Sequence, residues 1–223
     1  RFTDDKWQEV ELPRLPSGAL EMTDQPWGGD VVYLAASDFT TPLTLFALDL
    51  NVMELTVMRR QPQQFDSDGI NVQQCWTTSA DGERIPYFHV GKNATPDTPT
   101  LVYAYGGFGI PELPHYLGSV GKYWLEEGNA FVLANIRGGG EFGPRWHQAA
   151  QGISKHKSVD DLLAVVRDLS ERGMSSPKHI GLQGGSNGGL ITAAAFVREP
   201  QSIGALVCEV PLTDMIRYPL LSA

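Results

Sequence analysis

The run Gly184-Gly185-Ser186-Asn187-Gly188 narrows the folds open to this chain more than any other stretch. It sits between a short apolar segment, Ile180-Gly181-Leu182-Gln183, and an alanine-rich stretch whose composition suits a buried helix through Val197. A serine between glycines at a strand-to-helix junction implies a turn too tight for bulky neighbours. Gly184 and Gly188 fall where strand and helix approach each other, and Gly189 gives further room.

Strands and helices alternate on either side of this turn. Thr100-Leu101-Val102-Tyr103-Ala104-Tyr105 reads as a continuous apolar strand buried on both faces, and Ala130 to Ala134 as another. Ser158-Val159-Asp160-Asp161 reads as a capping box opening a helix, with Val159, Leu162, Leu163, Val166 and Leu169 at helical spacing and Gly173 as its C-terminal cap. Ala205-Leu206-Val207 is a further strand. The pattern predicts an α/β fold, a parallel-type sheet with helices on both faces.

The first 65 or so residues differ. Val31 to Leu34, Leu43 to Leu50 and Leu55 to Met58 are short β-prone runs separated by turn residues, the spacing of a sandwich, barrel or propeller blade. One such blade is marginal alone in water. Val72 to Thr78 and Ile85 to Val90 then flank Asp81-Gly82, the signal of a type I′ hairpin. The boundary is placed at residues 1–68 and 69–223.

Composition matters mainly for what it excludes. A formal charge of −9 lacks the basic footprint of a nucleic-acid binder. Two cysteines, Cys75 and Cys208, make no disulfide framework and no zinc motif. No apolar run approaches the roughly 20 residues that cross a bilayer. No cofactor, metal, nucleic acid or membrane is expected as a partner. The chain begins at Arg1 without Met and stops at Ala223 soon after an apolar run, so both ends read as cut.

Three glycine-rich segments carry the chemistry. In Gly184–Gly188 the turn exposes the Ser186 hydroxyl above the sheet, and the helix start aims the Asn187 N–H at a developing oxyanion. Tyr105-Gly106-Gly107-Phe108-Gly109 ends the strand from Leu101, where hydrolases of this type place a second oxyanion donor, here a backbone N–H or the Tyr105 hydroxyl. Asn135-Ile136-Arg137-Gly138-Gly139-Gly140-Glu141-Phe142-Gly143 follows the strand ending at Ala134. Its Arg137 and Glu141 either touch substrate or form a structural ion pair, the second reading being favoured.

These segments, together with Trp146-His147, Ser176-Pro177-Lys178 and Leu190, resemble the prolyl oligopeptidase family of serine peptidases in order and spacing from about Gly82 to Tyr218. Phe39-Thr40-Thr41-Pro42 and Asp81 to Pro86 are similar to the family's last propeller blade and the start of its hydrolase domain. The resemblance implies an α/β-hydrolase preceded by the last blade strands of a seven-bladed propeller. It also implies cleavage of short peptides, often after proline, by a protein expected to be monomeric at full length. By position, Ser186 matches the nucleophile, Tyr105 (hydroxyl) and Asn187 (N–H) the oxyanion hole, and Phe108 and Leu212 the substrate pocket. Asn187 favours the prolyl-specific branch over relatives cleaving after basic residues.

One departure stands out. In this fold the triad runs serine, acid, histidine, yet His89, His115, His147, His156 and His179 all precede Ser186. Asp214 matches an aspartate that is structural in the family. The expectation is that the acid and histidine lie beyond Ala223. Two alternatives stay open: an esterase or oligopeptidase of other specificity on the same fold, or a binding protein that kept the fold and lost the chemistry.

Overall fold

The computed structural model describes residues 2–3, 5–7, 9–23, 29–217 and 220, so Arg1, Tyr218 and Ala223 lie outside the described residues. The chain forms two compact units, residues 1–64 with 114–118, and residues 65–113 with 119–223.

In the first unit a two-residue pair, β1 (Phe2–Thr3) and β2 (Lys6–Trp7), precedes a four-stranded antiparallel meander of β3 (Leu20–Met22), β4 (Val31–Ala36), β5 (Thr44–Asp49) and β6 (Glu54–Arg60). All three expected strands are present, and Leu20–Met22 is a fourth that the pattern did not reveal. Leu34, Ala36, Phe46 and Leu48 alternate inward to make a small core, as period-two strands require. Four strands in this order are the make-up of one propeller blade.

The second unit holds a six-stranded mixed sheet. Its strands are β7 (Asn71–Thr78), β8 (Arg84–Gly91), β9 (Thr100–Ala104), β10 (Ala130–Ala134), β11 (Ile180–Gly185) and β12 (Ala205–Glu209), in the order β12-β11-β9-β10-β8-β7. β12, β11, β9 and β10 run parallel, while β8 is antiparallel to its neighbours β10 and β7, the latter closing the sheet as a hairpin partner. Such a sheet, its parallel strands followed by helices, is an α/β-hydrolase architecture.

The connections include α1 (Gly118–Val120), which runs into a π-type turn at Gly121–Leu125, and α2 (Pro144–Gln148). The long helices are α3 (His156–Glu171) and α4 (Asn187–Arg198). Both bury their apolar stripes in one cluster with Val102, Ala104, Val132, Ala134, Ile180 and Leu182. Helices are expected on both faces of the whole sheet, and these two share one. On the opposite side of β9, Leu101 and Tyr103 are half-buried, so only β10 is buried along its whole length.

Two local expectations are corrected. The β7–β8 hairpin forms, but not through a type I′ turn, which needs positive φ at both central residues. Here Gly82 has positive φ (88°) and Asp81 does not. Ser79 N–H donates to Glu83 O and Gly82 N–H to Ser79 O, closing a three-residue loop with Gly82 at its left-handed position. Nor is Ser158 a helix cap. α3 begins two residues earlier, because the Ser158 hydroxyl donates to Arg137 O (2.7 Å) and the Asp161 carboxylate is taken by Arg137. Tertiary partners outcompete the local cap. The C-terminal end behaves as read: Gly173 (φ 66°) and Met174 return N–H bonds to Ser170 O and Leu169 O, a Schellman motif.

Candidate active site

The carboxyl ends of β9, β10 and β11 bring three loops together, as parallel strands do at their ligand-binding edge. Ser186 stands between β11 and α4 at φ 54°, ψ −115°, a conformation that costs an L-residue about 1–3 kcal/mol. Three of the glycines around it are required on steric grounds, while Gly185 is not. A Cβ on Gly184 would strike Gly188 O, one on Gly188 would strike Ala104 O, and one on Gly189 would meet Glu209 O and Pro211. Ser186 is held through its backbone: its N–H donates to Glu209 O (2.9 Å), and its carbonyl accepts from Leu190 N–H and Leu212 N–H (both 3.2 Å). The elbow expected from the sequence is present, strain included.

Asn187 opens α4 and is buried. The sequence assigned it only a backbone role. Its side chain has a second one, for Nδ2 donates to Tyr105 O (2.6 Å) and its carboxamide fills the space where Gly107 would carry a Cβ. The elbow and the Tyr105–Gly109 loop are therefore joined directly. Gly106 (φ 57°) lies where a Cβ would collide with Ile136, and Phe108 (φ 56°) projects as an exposed ring. Phe108 and Leu212, the two expected pocket residues, line one cavity of about 400 Å³ together with Gly107 and Asn187. Tyr105 and Ser186 are not among its lining residues; the Tyr105 Cα lies where a Cβ on Gly188 would meet it, and its carbonyl is held by Asn187.

Three polar side chains of this cavity were not among the expected site residues, although His147 belongs to the Trp146-His147 motif. His147 lines it, but Nδ1 bonds Gly138 O (2.8 Å) and Nε2 meets Gln151 Nε2 (2.6 Å), so both ring nitrogens are engaged. Gln151 is the second. The third is Lys155, whose Nζ donates to Gly106 O (2.8 Å) and whose pKa burial pushes below the usual lysine range. Lys155, Ser158 and Asp161 fall at i, i+3 and i+6.

The Asn135–Gly143 loop is built differently. Arg137, 2% exposed, donates Nε and a terminal nitrogen to Asp161 (2.9 and 2.6 Å) and both terminal nitrogens to Asp81 (2.7 and 2.9 Å). Desolvation by itself would lower the guanidinium pKa; hydrogen bonds to Asp161 and Asp81 override it and raise it. Arg137 thus makes a structural ion pair, though not with Glu141. That residue accepts from Glu112 N–H (3.0 Å) and Asn135 Nδ2 (3.4 Å), and burial raises its pKa. Asp214 pairs with Arg217 close along the chain, consistent with a structural part.

Comparison with known proteins places these features in context. Residues 117–222 match the model of the prolyl oligopeptidase family. An uncharacterised peptidase of Sinorhizobium fredii is 39% identical over 225 residues, covering 100% of this chain and 31% of the relative. The prolyl endopeptidase of Elizabethkingia meningoseptica is 31% identical over 84% of this chain and 27% of its own length. The solved post-proline cleaving enzyme from Rickettsia typhi superposes with a TM-score of 0.87 at 35% identity, over 99% of this chain and 32% of that one. The chain spans less than a third of the length of these curated relatives.

Proposed function

The chain belongs to the prolyl oligopeptidase family, and from that premise we propose that its protein is a serine peptidase cleaving short peptides after proline through an acyl-enzyme on Ser186. The single observation that carries this reading is the strained Ser186 elbow joined by Asn187 to the Tyr105–Gly109 loop. Strain at a position where glycine would relieve it is retained where the side chain is needed.

The Ser186 hydroxyl attacks the scissile carbonyl, and charge develops on that carbonyl's oxygen. The Asn187 N–H, at the open start of α4, and the Tyr105 hydroxyl donate to it. Phe108 and Leu212 supply apolar walls for a compact, ring-shaped residue such as proline. The proton from Ser186 needs a base. His147, the histidine of the cavity among the described residues, is held at both nitrogens and is not assigned that part. The division into a blade-bearing unit and a catalytic unit near residue 68 belongs to the same proposal. Hydrolysis of a chromogenic prolyl peptide by the full-length protein, lost in Ser186→Ala, tests it. Equal turnover of a matched substrate with alanine in place of proline would instead favour the broader oligopeptidase reading.

A further inference from the structure

Lys155 closes a 3₁₀ turn, Gly152–Lys155, that runs directly into α3. It is half-buried and lines the cavity, and burial lowers its pKa. What its ammonium gains is the carbonyl of Gly106 at 2.8 Å, a charge-assisted hydrogen bond.

That carbonyl lies in a loop with three successive carbonyls tied down. Tyr105 O accepts from Asn187 Nδ2 (2.6 Å), Gly106 O from Lys155 Nζ (2.8 Å), and Gly107 O from Ile110 N–H (3.1 Å). Two of the three anchors are local to the loop or to the elbow. Lys155 alone brings in α3. The same helix face continues with Ser158, on Arg137 O, and Asp161, on the Arg137 side chain. The turn entering α3 thus holds the Gly106 loop through Lys155, and the first turns of α3 hold the Arg137 loop through Ser158 and Asp161.

We propose that Lys155 is a positioning residue of the active site, fixing the Gly106 carbonyl so that Tyr105 and Gly107 keep their places against Asn187 and Ser186. The inference rests on the proposed peptidase function for its catalytic consequence only. Its structural half, a loop carbonyl fixed by one ammonium, stands apart from any activity. Lys155 does not touch the reacting atoms, so its loss acts on the rate of the chemical step rather than on substrate capture. Misplacement of a catalytic group by about 1 Å is enough for a large loss of rate.

The test uses the full-length protein with Lys155→Met, which keeps length and loses the donors, and Lys155→Arg, which keeps a cationic donor. Lys155→Gln serves as a second neutral variant should the methionine form fail to fold. On a prolyl peptide, Lys155→Met or Lys155→Gln should lower kcat about tenfold or more with KM within about twofold, and Lys155→Arg should recover most of the loss. Amide hydrogen exchange of residues 105–110 should quicken about tenfold or more in the neutral variants while strands β9 to β11 stay protected. An unchanged kcat in a parent that is active overturns the proposal, as does a neutral variant and Lys155→Arg being equally impaired. A parent that cleaves no prolyl peptide sinks the function reading, and exchange then decides alone: unaltered protection of residues 105–110 overturns the role of Lys155.

Discussion

The Ser186 elbow and the Arg137 loop are equally rich in glycine and sit at the ends of strands only one apart in the sheet, yet they spend their glycines differently. At the elbow, close backbone approach serves to hold one strained residue, Ser186, beside Asn187, which lines the cavity. In the Arg137 loop, Gly138 and Gly140 let the chain pass against Gly106 O and Gly109 O, and its charged side chain turns inward onto two carboxylates. The difference teaches that glycine content marks close packing, while the fate of the neighbouring polar groups separates site from scaffold. Where a buried charge is matched by partners within the protein, as the Arg137 guanidinium is by Asp161 and Asp81, the side chain is structural. Where a residue bears strain that no internal partner explains, as at Ser186, it is available for chemistry.

The sharpest contrast lies in what each region costs to lose. Ser186→Gly should abolish peptidase activity in the full-length protein, by about 10⁴-fold or more in kcat. The same change relieves a positive φ, so the melting temperature should hold or rise, the gain being about 1 kcal/mol after glycine's greater chain entropy. Activity assayed beside calorimetry checks both halves. Asp161→Leu is the opposite case: it leaves a buried guanidinium with Asp81 as its remaining carboxylate and should cost about 3 kcal/mol of stability by urea denaturation. Combined replacement, Arg137→Met with Asp161→Leu, should recover much of that, since a buried pair owes little to its net attraction. A negligible loss in the single variant would break the comparison.

Smaller effects sharpen it. Tyr105→Phe should lower kcat about 10²-fold if the hydroxyl donates to the oxyanion, with substrate affinity little changed. Turnover within two- or threefold of the parent, about 0.6 kcal/mol of barrier, would move Tyr105 from the site to the scaffold. The least is expected from Asp81, whose carboxyl the Arg137 guanidinium holds below the usual range. A depressed acid pKa contributes stability above the ordinary value of about 3.9 and loses it as pH falls. Asp81→Asn should therefore show a smaller drop in melting temperature between about pH 7 and about pH 3 than the parent. Because the side chain is partly exposed, the effect should be slight.

Much of this was legible in the sequence, and unevenly so. The strand-helix order from Leu101 to Val207 follows from local periodicity, and the elbow from sterics that act within five residues. The α3 start was misread because Ser158 and Asp161 fit a local cap and a distant partner equally well, and Arg137 is 21 and 24 residues away. The same cause hid Lys155: its partner, Gly106 O, lies 49 residues off and leaves no trace in spacing. The turn at Asp81 departed from its expected type for a related reason, since a dipeptide signal carries no information about loop length. Side-chain to backbone bonds across elements are the class that single-sequence patterns do not encode.

The most direct test of Ser186 as the nucleophile is covalent trapping. The full-length protein is treated with a phosphonate ester of a capped peptidyl-proline and its peptides are mapped by mass spectrometry. A single adduct on Ser186, suppressed by excess prolyl peptide and accompanied by loss of activity, is the expected result. An adduct on another residue, or continued peptide hydrolysis with Ser186 unmodified at saturating reagent, would contradict it.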